Sequence, residues 1–358
     1  MSRSFGPLAV LLLFGLQTPD AVAQEPIHWK YATLVPKNFP VFGTSADRLA
    51  TRIERMSAGR LKVKVFAAGE LVAPFEIFDA VSAGTIEMGQ GTAYFWKGKM
   101  PAAQFLSTVP FGMTAQELNA WMLYGGGLEY WQELYEPFGV LPVLSGNTGV
   151  QMAGWFNREI NTIEDLRGLK MRVPGIGGEV LKRAGVTTIL LPGTEMFQAL
   201  QSGTIDAVDW IGPFNDRGFG LHQAARYYYW PGWHEPGGNI ETLINKKALA
   251  ALPTDLQAVV TGACRALAIE MLAEFTARNP TALRDLVEQH GVELRRFPPE
   301  VIEHLRTLTE QVIGEIVAAD PKAAQIHASM QTFQQQVQRW HELSERAYLE
   351  LRDDTNSP

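Results

Sequence analysis

The sequence predicts an α/β protein of two similar lobes with a cleft between them, followed by a helical C-terminal region. Three observations carry this reading. The chain writes "SAGTIEMGQG" at Ser82–Gly91 and "QSGTIDAVDW" at Gln201–Trp210, and the upstream Phe78 and Ala80 recur at the same offset as Phe197 and Ala199. Strand-like and helix-like segments alternate from Ile27 to about Pro236, as α/β lobes require. After about Lys246 the pattern becomes almost wholly helical. A chain of 358 residues is long enough for two cores.

Taken in order, Arg3 precedes the apolar run "LAVLLLFGL" (Leu8–Leu16), and "AVA" (Ala21–Ala23) offers small residues for cleavage. That is the form of a secretory signal peptide. The run is shorter than the roughly 20 residues a spanning helix needs. No cysteine follows the cleavage site, so an exported chain without a lipid anchor, starting near Gln24, is expected. "GTSADRLATRIERMSAG" has a Ser/Thr start, helical spacing and a Gly stop, and "RLKVKVFAAG" alternates like a half-buried strand. Each copy of the repeat reads as helix, Gly stop and short apolar strand. "INTIEDLRGLKMRVPG" reads as a turn, a short helix from Thr162 to Leu166, Gly168, and a strand ending at Pro174. The alternation predicts largely parallel sheets.

"LPTDLQAVVTGACRALAIEMLAEFTARN" reads as a helix ending at Asn279–Pro280. Further helices are expected from Pro280, from Pro298–Pro299 and from about Pro321 to Leu351. The last carries Met330, Phe333, Val337 and Trp340 at three- and four-residue spacing, with Ala347 and Leu351 beyond. Such a stripe is either an intrachain core face or a face for another subunit. The predicted division is 1–23 signal peptide, 24–146 and about 237–276 first lobe, 147–236 second lobe, and 277–358 C-terminal helices.

Hydrophobic content of 46% is ordinary, and a net charge of −7 without any basic run gives no support to nucleic-acid or membrane-surface binding. Cys264 is the only cysteine, which excludes an intramolecular disulfide and points to a buried thiol. No G-x-S-x-G elbow, H-E-x-x-H helix or Walker-type loop occurs, and "HELSE" lacks a second histidine. The seven histidines show no metal-ligand spacing. "PGIGGEVL" (Pro174–Leu181) has the wrong glycine spacing for a nucleotide loop. It reads as a strand-to-helix turn, with Gly177 and Gly178 at a helix start that favours an anion. Enzymatic activity is therefore not expected.

Four stretches put polar groups where strands should end. They are "GNTGVQMAGWF" with Asn147 and Gln151, "GLKMRVPG" with Arg172, "DAVDWIGP" with Asp209 and Trp210, and "YYYWPGWHEPGG" with Trp233 and Glu235. Singly, each has a plain structural explanation: Arg172 could pair with Asp209 across neighbouring strands, and Asn147 could cap a turn. Together they give a cationic fork, two carboxylates and two amides framed by tryptophans. Open α/β sheets bind ligands outside the carboxyl ends of their strands. The repeat thus delivers strand ends to a cleft.

The signal peptide, the "GNTGVQ" segment, "GLKMRVPG", "ALQSGTIDAVDWIGP" and "YYYWPGWHEP" together resemble the extracytoplasmic solute-binding proteins of TRAP (tripartite ATP-independent periplasmic) transporters. Within them the chain is most similar to the branch that binds 2-oxo or 2-hydroxy monocarboxylates. The resemblance covers nearly all of the mature chain. It implies that Arg172 grips the ligand carboxylate, that Asn147 hydrogen-bonds the ligand, and that Tyr94 in "GTAYFWKGK" closes from the first lobe. It also implies a cation held by Gln151, Asp209, the Trp210 carbonyl and Glu235. Two departures stand out. Asp209 replaces the branch's frequent Glu, and Phe95–Trp96 stand where relatives tend to have tyrosines, making that wall less polar.

The implied function is capture of a small acid such as pyruvate in the periplasm for the TRAP membrane subunits, by a homodimer joined through its C-terminal helix. The oxygen-rich set points to a hard cation. Charge balance favours calcium; the resemblance favours sodium, the ion expected here.

Overall fold

The computed structural model describes residues 25–353, so the segment read as a signal peptide lies outside the described residues. Among the described residues, eleven strands form two sheets. The first sheet has the order β2 (Leu61–Phe66), β1 (Ile27–Ala32), β3 (Met88–Gly91), β10 (Asn239–Asn245), β4 (Val140–Asn147). The second has the order β11 (Glu293–Arg296), β9 (Tyr227–Trp230), β5 (Gly154–Phe156), β8 (Ala207–Val208), β6 (Lys170–Arg172), β7 (Thr187–Ile189). This two-sheet α/β architecture with a helical C-terminal region agrees with the fold class read from the sequence.

The repeated phrase is one structural device used in both sheets. A helix ends at Ser82 or Gln201, a glycine follows in left-handed backbone (Gly84 φ 74°, Gly203 φ 73°), and a strand starts at Met88 or Ala207. Glycine takes that conformation without a Cβ clash. Even the local bond recurs: Ile86 N–H donates to Ala80 O at 3.4 Å and Ile205 N–H to Ala199 O at 3.1 Å. Each strand then has one parallel neighbour (β1 or β6) and one antiparallel neighbour (β10 or β5).

Four expectations need correction. The sheets are mixed rather than largely parallel, because β10 and β5 insert antiparallel where the chain passes between lobes. The helix expected to stop at Pro280 continues from Thr254 to His290. Pro280 lies on an exposed face, where the carbonyl left without its donor can reach solvent. The region past 277, read as helical, also contributes β11, which pairs parallel with β9. The final helix is interrupted as well. It runs Pro321–Leu343 and resumes at Glu345, with the Ser344 hydroxyl donating to Trp340 O at 2.8 Å.

The Thr254–His290 helix is long and apolar enough to cross a membrane by length and composition. Here Leu256, Val260, Cys264, Leu267, Met271 and Phe275 are buried. It packs on β4 and the Phe42–Met56 helix in the first lobe, and on the Pro213–Gly218 helix in the second. Burial pushes the Cys264 thiol up to about 12, which keeps it protonated and unreactive.

Candidate functional site

The site begins where β6 and β8 end. The two strands pair in parallel with Arg172 opposite Val208. Asp209 N–H donates to Arg172 O at 2.9 Å, and Arg172 Nη1 donates to Asp209 O at 2.8 Å. Arg172 Nε donates to Leu191 O at 3.2 Å, just past β7. Its guanidinium lies 5.3 Å from the Trp210 ring centre, within cation–π range. Asp209 Oδ2 is 3.6 Å from Arg172 Nη1, and the two residues are 0% and 1% exposed. The cross-strand pairing allowed by the sequence therefore exists, although as a charge contact without a hydrogen bond.

The loop after β9 brings two more groups to Asp209. His234 Nε2 lies 2.9 Å from Asp209 Oδ1, too poorly aligned for a hydrogen bond. Glu235 Oε2 accepts from Gln151 Nε2 at 2.7 Å. Ligand-capable atoms of Asp209, His234 and Glu235 all fall within 4.8 Å of one another. Gly238 leaves room for this cluster: a Cβ there would sit 3.3 Å from both Gln151 Nε2 and Glu235 Oε2.

Both Asp209 carboxylate oxygens and Gln151 Oε1 are buried without a hydrogen-bond donor. Leaving a buried carboxylate unpartnered costs several kcal/mol, at least ~3 by analogy with broken buried pairs. Burial, then the nearby Asp209 charge, pushes the Glu235 carboxyl well above the usual carboxylate range, against the opposing pull of Arg172 and Gln151. A cluster of oxygen donors short of positive charge fits a hard cation. Among the described residues, no donor meets the Trp210 carbonyl either.

The first lobe supplies the opposite wall. A narrow cavity is lined by Phe42, Thr92, Tyr94 and Phe95 on that side and by Gln151, Trp210 and Glu235 on the other. Tyr94 lies over the start of the Gly175–Arg183 helix, where a Cβ on Gly175 would be 3.3 Å from its ring. Lys97 Nζ and Glu179 Oε1 join the lobes at 2.7 Å beside this contact.

The structure thus puts Tyr94, Gln151, Trp210 and Glu235 on the cavity wall and Arg172 and Asp209 buried beside Trp210, off that wall, and it leaves two expected residues aside. Asn147 spends its amide on Asn239 Oδ1 (3.0 Å) and Asn119 Oδ1 (3.3 Å), and its Oδ1 accepts from Gly149 N–H at 2.9 Å. It ties β4 to β10 rather than lining the cavity. Trp233 packs at a tilt against Phe111 with ring centres 5.5 Å apart, also away from the cavity wall. Of the Phe95–Trp96 pair, only Phe95 faces the cavity; Trp96 is buried and donates to Glu241 Oε1 at 2.6 Å. His234 is the residue that sequence reasoning missed. Its signal was position: it sits between Trp233 and Glu235, in a segment already marked as a strand end.

Comparison with known proteins identifies the family. The DctP family, bacterial extracellular solute-binding protein family 7, matches residues 31–320. A monocarboxylate 2-oxoacid-binding periplasmic protein of Nostoc sp. is 39% identical over 322 residues, covering 90% of this chain and 88% of its own. A TRAP periplasmic solute-binding protein from Pseudoalteromonas atlantica, solved with sodium and pyruvate, is 41% identical with a TM-score of 0.88, covering 91% and 99% of the two chains. One from Bordetella bronchiseptica is 37% identical with a TM-score of 0.89, covering 91% and 97%. It is a mixed-occupancy dimer with copurified calcium and picolinate in one active site and an apo second site. With a fold of two sheets around a buried Arg172–Asp209–Glu235 cluster, and a match over most of its length, the chain belongs to the DctP family of extracellular solute-binding proteins.

Proposed function

We propose that this protein is a periplasmic receptor that captures a small 2-oxo monocarboxylate such as pyruvate, together with a hard cation, for the membrane subunits of a TRAP transporter. The observation that carries the reading is the buried Arg172 guanidinium beside carboxylate and amide oxygens that lack donors. Arg172 takes the ligand carboxylate with the prong its backbone contacts leave free. Tyr94 closes over the ligand and Trp210 forms the side wall. Gln151, Asp209, Glu235 and the Trp210 carbonyl hold the cation, which the ligand's carboxylate and keto oxygens also reach. The relatives support both halves of this assignment, since one was solved with pyruvate and sodium and another with calcium.

Two protein carboxylates and the ligand carboxylate face one guanidinium, an excess of two negative charges. Sodium removes one of them, and backbone dipoles at the nearby start of the Gly175–Arg183 helix spread the other. Sodium is the proposed ion. The exposed C-terminal helix face is the proposed homodimer contact. The test of function is a thermal-shift and calorimetric screen of pyruvate, lactate, branched 2-oxo acids and acetate, with and without chelator. A saturable rise in melting temperature with pyruvate, and a weak one with acetate, is expected. No response to any 2-oxo or 2-hydroxy acid overturns the reading.

A further inference from the structure

Four non-glycine residues among those described, Asn38, Val41, Ala58 and Phe111, have positive φ, and all four lie on first-lobe loops. Val41 is the sharpest case. It is fully buried and has φ 59° and ψ −64°, while Phe42 N–H donates to Pro40 O at 2.7 Å. That is a γ-turn of the rarer hand, centred on a β-branched residue. Backbone in such a region persists only where its surroundings enforce it.

Part of that enforcement is local, since the Gly43 and Thr44 N–H groups both donate to Phe39 O, at 3.0 and 3.1 Å, and the rest comes from the other lobe. The same Pro40 carbonyl accepts a second hydrogen bond, from Asn215 Nδ2 at 2.6 Å. Asn215 Oδ1 in turn accepts the indole N–H of Trp210. Phe39 sits 4.1 Å from Phe219 between ring centres, and both Phe39 and Phe42 meet Trp210 edge-on at 6.4 and 6.3 Å. Pro40 is pressed on Gly218, where a Cβ would lie 3.0 Å from the proline ring. Phe42, next to the strained residue, lines the ligand cavity.

We propose that the second lobe imposes the strained Pro40–Phe42 turn when the cleft closes, so that Val41 and Asn215 set ligand affinity as positioning residues. The proposal rests on the ligand-capture reading above, but it adds a mechanism that reading does not contain. In the open protein the Asn215 bond and the Trp210 contacts are absent, and the turn relaxes. Closure restores the strain and opposes it with the Asn215 bond and the aromatic contacts. Val41 therefore lowers affinity, whereas Asn215 raises it. The balance keeps the receptor able to release what it has caught.

The experiment titrates pyruvate in sodium buffer into the full chain and three variants, with association and release rates measured in parallel. Val41→Gly should bind pyruvate about fivefold tighter, which is about 1 kcal/mol, and Val41→Ala should fall between it and the wild type. The gain should come from slower release. Asn215→Asp keeps an acceptor for Trp210 but loses the donor to Pro40, and should bind about tenfold more weakly. Should Asn215→Asp fail to fold, the Val41 series decides by itself. Affinities within twofold across that series, with only the ligand-free melting temperature moving, overturn the proposal, because the strain is then permanent. Weaker binding by Val41→Gly overturns it too. Wild-type binding of pyruvate is the separate test of the functional reading, and the turn is judged on variant-to-wild-type ratios.

Discussion

The Arg172 guanidinium and the Asp209 carboxylate face each other at 3.6 Å with no hydrogen bond between the two side chains, both buried. The guanidinium is anchored instead on two backbone carbonyls, those of Asp209 and Leu191. Such an arrangement orients the fork without neutralising it. In the proposed role, the charge that remains meets the ligand carboxylate.

Arg172→Met should therefore weaken pyruvate binding by about 30-fold or more, in line with roughly 2–5 kcal/mol for truncating one partner of a desolvated pair. Arg172→Lys should recover little of it, since an ammonium cannot span both carbonyls and the ligand. Calorimetry is the measurement, with a melting curve to confirm folding. Unchanged affinity in Arg172→Met would place the carboxylate elsewhere.

Much of this site was legible because its residues interrupt local patterns. Arg172 and Asp209 break apolar strands, and a charge in such a run announces itself. The repeat was legible because Gly84 and Gly203 mark the same left-handed helix end. Asn147 looked equally out of place, but its partners are Asn119 and Asn239, and the pairing of β4 with β10 that brings Asn239 beside it is not written in local spacing. His234 was missed for the opposite reason. A lone histidine among aromatics breaks no pattern, and only the packing of its loop on Gly177 puts it beside Asp209. The strained Val41 turn left no trace at all, since sequence pattern would assign a β-branched residue to extended backbone.

Removing the cation should cost affinity through the same carboxylates. In buffer stripped of sodium and calcium, pyruvate binding should fall about tenfold or more, about 1.4 kcal/mol. Sodium alone should restore it. Glu235→Gln should blunt that response, because it takes one anionic oxygen from the set. Tight binding without either ion, undiminished by Glu235→Gln, would sink the cation site.

A second buried acid makes stability depend on pH. Glu241 is fully buried, accepts from Trp96 Nε1 at 2.6 Å and Tyr135 O–H at 3.3 Å, and has no donor to Oε2. Burial outweighs those bonds and pushes its carboxyl from 4.5 up to about 8. Between those two values the folded chain keeps a proton that the unfolded chain has lost, so this group's contribution to stability falls as pH rises across that window. Glu241→Gln should be stabilised relative to wild type, by a margin that is small near pH 5 and widens toward pH 8. Denaturant melts across that range measure the margin. A constant difference would mean that Glu241 does not titrate there.

The last prediction concerns the C-terminal stripe, which the structure divides. Ala323, Ile326 and Met330 are buried in the chain's own core, Phe333 packs against it, and Ser329 Oγ accepts from Trp121 Nε1 at 3.1 Å. Farther along, Trp340, Leu343, Tyr348 and Leu351 are 63%, 81%, 62% and 68% exposed. One helix end therefore serves the monomer, and the other presents apolar side chains that nothing among the described residues covers. A twofold axis would bury this set twice, at about 1.5–3 kcal/mol per large apolar side chain, against an association cost of roughly 4–15 kcal/mol. A cut before Ala323 would also remove core residues, so the informative truncation ends the chain after Gln335. The full-length protein should sediment as a dimer, and the truncated one as a folded monomer that still binds pyruvate, because every residue of the cavity lies upstream of the cut. A full-length monomer, or a truncated chain that remains dimeric, would assign the exposed stripe no part in subunit contact.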